Sequence, residues 1–169
     1  RWTEYTPLGC RMPGTRFIAF KVPLKKSFDH NLLPEDRFSP RDLIREVEEQ
    51  QEELGLIIDL TYTTRYYGPE DLPPTLSYSK ILTMGHEIPK TSTIMRFKYV
   101  VKNFLANNQD NDKLIGVHCT HGLNRTGYLV CRYLIDVEGM EPNAAIELFN
   151  KCRGHPIERI NYIRDLQRR

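Results

Sequence analysis

The sequence predicts a single α/β domain spanning 1–169, with a mostly parallel central sheet flanked by helices. Three observations predict it. Short apolar runs of strand character alternate with longer stretches that are apolar at helical spacing. Proline and glycine clusters mark the joints between them. The chain has 169 residues, 40% of them hydrophobic, which is enough for one sizeable core and too few for two.

Residues 1–14 read as an irregular segment broken by Pro7, Gly9, Pro13 and Gly14. Arg16 to Val22 has strand character. Ser39 and Pro40 then open a helix: Ser39 caps it, Pro40 suits its first position, and Asp42 completes a capping box. That helix is expected to run to about Leu54 and to stop near Gly55. Leu56–Leu60 reads as a buried strand, 68–75 as loop because of Pro69, Pro73 and Pro74, and Ser79–Thr83 as another strand. A helix over about 92–107, a turn to Asp112 and a strand over 113–117 follow. A helix is expected from the loop after that strand to Gly139, another from Pro142 to about Gly154, and a last one over about 158–167.

The most informative stretch is His118-Cys-Thr-His-Gly-Leu-Asn-Arg-Thr-Gly127. Cys119 stands where a strand ends and Arg125 where a helix starts. A loop in that position curls its amides around a tetrahedral dianion, with a helix N-terminus beneath it. Cys119 is the candidate nucleophile, and its positive surroundings favour the thiolate. Arg125 offers a planar fork for two phosphoryl oxygens. Thr126 is placed to hydrogen-bond the sulfur and to help it leave a phospho-cysteine. Thr120, His121, Gly122, Leu123 and Asn124 are the residues whose backbone would line the anion site, with Gly122 and Gly127 giving conformational freedom. His118 is expected to orient the loop from behind rather than act as a base, since a thiolate needs none.

The loop resembles the signature of the cysteine-dependent protein tyrosine and dual-specificity phosphatases, and in particular that of their metal-independent RNA 5′-triphosphatases. The stretches 11–23, 58–67 and 152–162 resemble the same RNA-directed branch, so the likeness covers nearly the whole chain. It implies the dual-specificity phosphatase fold and an enzyme that removes the γ and then the β phosphate from an RNA 5′ end, leaving a monophosphate. It also implies no metal or other cofactor, residence in the nucleus, and association with RNP or splicing proteins. Two alternatives stay open: a dual-specificity phosphatase of phosphoproteins, and an idle RNA- or RNP-binding module.

Supporting residues follow from the same likeness. Arg159 is expected to neutralise distal phosphates and Asn161 to position the hydrolytic water, in a segment where Ile160 stands in place of the relatives' Gln. Lys21 reads either as a phosphate contact or as an exposed strand lysine. Arg65 reads as a distal-phosphate contact, whereas Tyr66 and Tyr67 are better explained by a loop packed on its own aromatics. The protein phosphatases of the superfamily carry an acidic Asp about thirty residues before the cysteine. The matching stretch here, Met84-Gly-His-Glu-Ile-Pro89, has none, and only Glu87 or His86 is available. A phenolate leaving group gains from protonation, but a nucleoside phosphate is acidic enough to depart alone, so the missing Asp favours pyrophosphate-bond cleavage.

Composition narrows the remaining classes. The four cysteines, Cys10, Cys119, Cys131 and Cys152, show neither metal-ligand nor disulfide spacing, and His30, His121 and His155 form no metal constellation. A catalytic thiolate calls for a reducing compartment, cytosol if not nucleus. No apolar run approaches the ~20 residues of a membrane span. The chain begins at Arg1 without a secretory pattern, from which nothing follows about a leader. A monomer is expected. Net charge is only +2, but acid gathers over 45–53 and base over 151–169, a gradient that would draw an anionic polymer to the phosphate-handling end.

Overall fold

The computed structural model describes all residues from 1 to 169. Four parallel strands form one sheet in the order β1-β4-β2-β3, where β1 is Phe17–Phe20, β2 Leu54–Asp59, β3 Ser77–Lys80 and β4 Leu114–His118. The helices are α1 (Pro40–Glu49), α2 (Thr91–Asn107), α3 (Asn124–Asp136), α4 (Pro142–Arg153) and α5 (Ile160–Gln167). No helix is long and apolar enough to cross a membrane.

Both faces of the sheet are covered, and the period-two alternation of its strands shows how. Leu56, Ile58, Ile115 and Val117 join the larger core beneath α2, α3, α4 and α5, together with Phe97, Val101, Leu134 and Phe149. Ile18, Phe20, Ile57 and Leu114 point the other way and pack with Leu43 and Val47 of α1. A strand buried on both sides must be apolar at every position, which is why β2 and β4 read as continuous runs.

The sheet corrects two boundaries. Gly55 does not stop a helix. It lies inside β2, where an added Cβ would sit 2.6 Å from the Phe104 ring. Helix α1 ends earlier, at Glu49, because Gln51 turns through φ +61° and Arg11 grips Glu52 with both ends of its guanidinium, at 2.9 and 2.7 Å. The capping box at Ser39 forms as expected, the Asp42 amide donating to the Ser39 hydroxyl at 3.1 Å. The strand expected over 79–83 sits two residues earlier, because pairing of Ser77 with Leu56 and of Lys80 with Asp59 fixes its register. The segment 81–83 instead runs beyond the sheet, toward the carboxyl ends of the strands, where α/β sheets place their ligands.

Candidate active site

The site forms where β4 stops at His118 and α3 starts at Asn124. Between them the chain makes a tight bowl. Gly122 bends it at φ +75°, and no side chain fits there: an added Cβ would lie 2.3 Å from the Phe20 carbonyl oxygen. Cys119 is buried at the bottom of the bowl. The Thr126 hydroxyl donates to its sulfur at 3.1 Å. Burial pushes the thiol up. Arg125, the Thr126 hydroxyl and the amides of Thr126 and Gly122 outweigh that and hold it below its ordinary value of 9.0. The downward shift of the thiol that the sequence leads one to expect thus has its physical cause in two amides, one hydroxyl and one guanidinium.

Arg125 spans the bowl. Its Nη1 donates to the Thr83 carbonyl at 2.8 Å and its Nη2 to the Thr120 hydroxyl at 3.1 Å. The fork is therefore held by the chain that leaves β3 and by the loop itself. Leu123 is buried beneath, and its carbonyl accepts from the Gly127 amide at 2.7 Å.

His118 stands behind the bowl as expected. Its Nδ1 donates to the Cys119 carbonyl at 3.0 Å, which leaves Nε2 to accept from the Tyr67 hydroxyl at 2.6 Å. Burial lowers the His118 pKa, so the ring is neutral and the tautomer is set by the two contacts. Behind it, Asp59 accepts from the Thr61 amide and hydroxyl at 2.9 and 2.6 Å and from the Tyr78 hydroxyl at 2.6 Å. Burial raises its carboxyl, but His118 and these three donors leave it net below the usual carboxylate value. Tyr67 belongs to this network: rather than packing on the aromatics of its own loop, it bonds His118 and packs edge-on against Tyr78 of β3.

A second arginine lies under the bowl. Arg153 is 1% exposed. Its Nη2 donates to the carbonyls of His121 and Thr6, both at 2.8 Å, its Nε to the Gly122 carbonyl at 3.1 Å and its Nη1 to the Thr6 hydroxyl at 3.2 Å. With those two loop carbonyls pinned outward, the loop's amides are left to face the anion. Burial pulls Arg153 down to about 10, still a cation at neutral pH. The sequence placed Arg153 in a basic surface cluster, and the structure corrects this. The available signal was its spacing: it lies four residues beyond Phe149 on the buried stripe of α4.

The supporting residues divide. Arg159 caps α5, and its amide and that of Glu158 donate to the Asn124 side chain at 2.9 and 2.8 Å. Asn124 therefore serves α5 with its side chain, and its loop carries Arg159 to the bowl's edge. The Arg159 guanidinium meets the His86 ring. Asn161 is not aimed at a water site, because its amide donates to the His86 carbonyl at 2.9 Å. Glu87 is exposed, and it is its carbonyl, not its carboxylate, that is engaged, accepting from the Tyr162 hydroxyl at 2.8 Å. Lys21 is neither exposed nor open to the bowl. Its ammonium is buried against the Trp2 ring, 3.7 Å from the centroid, and donates to the carbonyls of Trp2 and Tyr5 at 2.9 Å each. Arg65 is exposed and lies along the Tyr66 ring. His121 stacks on Tyr5, a contact across the chain for which the sequence carries no signal. No group of three or more His, Cys, Asp or Glu side chains is placed to hold a metal ion.

Comparison with known proteins agrees with this geometry. Residues 40–168 match the family described as the dual specificity phosphatase catalytic domain. The chain is 70% identical over 169 residues to the RNA/RNP complex-1-interacting phosphatase of Rattus norvegicus, covering all of this chain and 52% of that one. It thus spans about half the length of that relative. It is 41% identical to the tyrosine-protein phosphatase of Autographa californica nuclear polyhedrosis virus, covering 98% of this chain and 96% of the viral one. The crystal structure of Tk-PTP in its active form superposes with a TM-score of 0.66 at 14% identity, over 96% of this chain and 98% of that one, a likeness of fold alone.

Proposed function

The chain belongs to the dual-specificity phosphatase family, a family of hydrolases that includes cysteine-dependent phosphatases, and from that membership we propose that it is an RNA 5′-tri- and diphosphatase. The observation that carries the reading is Arg159. Arg159 stands beside a bowl that already holds Arg125: its amide donates to the Asn124 side chain, and its guanidinium meets the His86 ring of the 83–89 loop. A polyphosphate carries distal charge that a phosphotyrosine lacks, and a second arginine answers that charge. The loop over 83–89 supports it, since it brings no Asp to the bowl. The name of the rat relative supports it as well, as that protein is described as interacting with an RNA/RNP complex.

In this reading the Cys119 thiolate attacks the γ phosphorus in line. The sulfur–phosphorus bond forms as the bond to the β-γ bridging oxygen breaks, and the RNA leaves as a diphosphate without needing a proton. Arg125 and the loop amides hold the equatorial oxygens. Water then attacks the phospho-cysteine, phosphate departs, and the sulfur regains the hydrogen bond from Thr126. A second round on the β phosphate leaves a monophosphate. The cations of each step come from the protein. The chemistry requires a reducing compartment, and the proposal extends to nuclear residence among RNP partners, which the resemblance to RNA-directed enzymes supports.

A second reading, a phosphatase of phosphoproteins, is favoured by the name of the viral relative. Release of phosphate from γ- and β-labelled RNA, with a chelator present, set beside release from a phosphotyrosine peptide, decides between them. Turnover of both labels in order is expected. A clear preference for the peptide overturns the RNA reading.

A further inference from the structure

The segment before the family match, residues 1–39, is anchored by buried charge, part of it from outside the segment. Two buried cations hold its first residues. Lys21, 2% exposed, binds the carbonyls of Trp2 and Tyr5, and Arg153, 1% exposed, binds the carbonyl and hydroxyl of Thr6. All of these partners are neutral oxygens. A buried cation without a carboxylate is costly unless its hydrogen bonds are well made, so the position of Tyr5 and its neighbours is tightly specified.

That position places an aromatic wall on the bowl. The Tyr5 ring lies on His121, two residues from Cys119, with centroids 4.5 Å apart and planes 21° apart, and His155 meets Tyr5 edge-on at 5.1 Å. All three rings remain partly exposed. The Tyr5 hydroxyl reaches Glu158, the neighbour of Arg159, at 3.4 Å. The wall thus runs from His121 of the bowl to Glu158, the residue before Arg159.

We infer that Tyr5, backed by His121, forms a stacking subsite for the first nucleobase of the RNA. The inference rests on the triphosphatase reading above. An RNA whose 5′ phosphates enter at Cys119 has its first nucleoside at the mouth that His121 and Tyr5 border, and an aromatic ring at that point gains from stacking whichever base arrives. Specificity for RNA 5′ ends over other phosphate esters then comes in part from a segment outside the region shared with the family.

The test compares two triphosphate-ended RNAs that differ only in the first residue, one normal and one abasic. The wild-type protein is expected to show a KM about tenfold lower for the normal RNA. Tyr5→Ala is expected to bring the two KM values within twofold of each other, and Tyr5→Phe to keep the difference. Turnover of the abasic RNA by Tyr5→Ala reports that the variant is folded. Equal KM values for the two RNAs with the wild type overturn the subsite, as does a preference that survives Tyr5→Ala. A phosphotyrosine peptide whose KM rises more than that of RNA in Tyr5→Ala assigns the wall to a peptide ring instead. A wild type inert to both RNAs but active on the peptide removes the triphosphatase reading and the subsite together, and the wild type alone reveals that outcome.

Discussion

Two loops leave the carboxyl ends of the sheet to make this site, and they are built in opposite ways. The loop after β4, over 118–125, is continuous in sequence, half of it buried, and held by Thr126, by the helix it starts and by Arg153 beneath it. The loop after β3, over 83–89, is mostly exposed at Met84, His86 and Glu87, and His86 sits at φ +76°. It is held from afar, by the Asn161 side chain and the Tyr162 hydroxyl seventy-five residues along the chain. The first loop carries its chemistry within itself. The second has no chemistry of its own and takes its place from α5. The contrast explains how side chains of the second loop can change while Cys119 keeps its place, because the second loop meets the bowl through a backbone group, the Thr83 carbonyl on Arg125.

The comparison is broken most severely at the sulfur. Cys119→Ser is expected to lower turnover by about four orders of magnitude or more while leaving the melting temperature within a few degrees, because the hydroxyl is a poor nucleophile at neutral pH and fills the same space. Retained turnover would move the chemistry out of the first loop altogether. Next is Gly122→Ala. Its Cβ meets the Phe20 carbonyl oxygen at 2.3 Å with φ at +75°, so backbone must shift. A loss of about 2–4 kcal/mol in stability and about 100-fold in kcat/KM is expected from denaturant titration and steady-state rates. A near-native variant would show that the bowl is softer than its hydrogen bonds imply.

Two smaller effects sharpen the contrast. Thr126→Ala removes a donor that lowers the Cys119 pKa. The thiolate is the reactive form, so the rate falls as pH drops through that pKa, and loss of the donor moves this acid limb to higher pH. The pH dependence of Cys119 alkylation reads the shift directly, and a limb that stays put or moves down removes Thr126 from the thiolate's support. Asn161→Ala is expected to cost about 1 kcal/mol or less and to change kcat by under about threefold, because it frees one exposed contact to the His86 carbonyl. A loss beyond about thirtyfold would restore to Asn161 the water-positioning role that the sequence pattern first suggested.

Legibility in the sequence follows the same division. The bowl was readable because its parts are neighbours: Cys119, Arg125 and Thr126 are fixed by the spacing along one loop, and strand-to-helix context follows from local periodicity. The alternating faces of the sheet were readable for the same reason. Asp59, Arg153 and Tyr5 were not, because their partners lie 19, 31 and 116 residues away at Tyr78, Gly122 and His121. The end of α1 was misjudged because Arg11 pins Glu52 across 41 residues, a contact no local pattern reports.

By itself the chain order determined the α/β class, the capped helices, the parallel strands and a thiol–guanidinium pair five intervening residues apart, all set by short-range sterics and hydrophobic period. Tertiary structure alone decided which cations face the bowl and which are buried beneath it. Arg159 and Arg153 are six residues apart in one basic stretch, and only packing sends one to the rim and the other under the loop. A charge can be assigned to a surface or an interior only once the neighbours that solvate it are known.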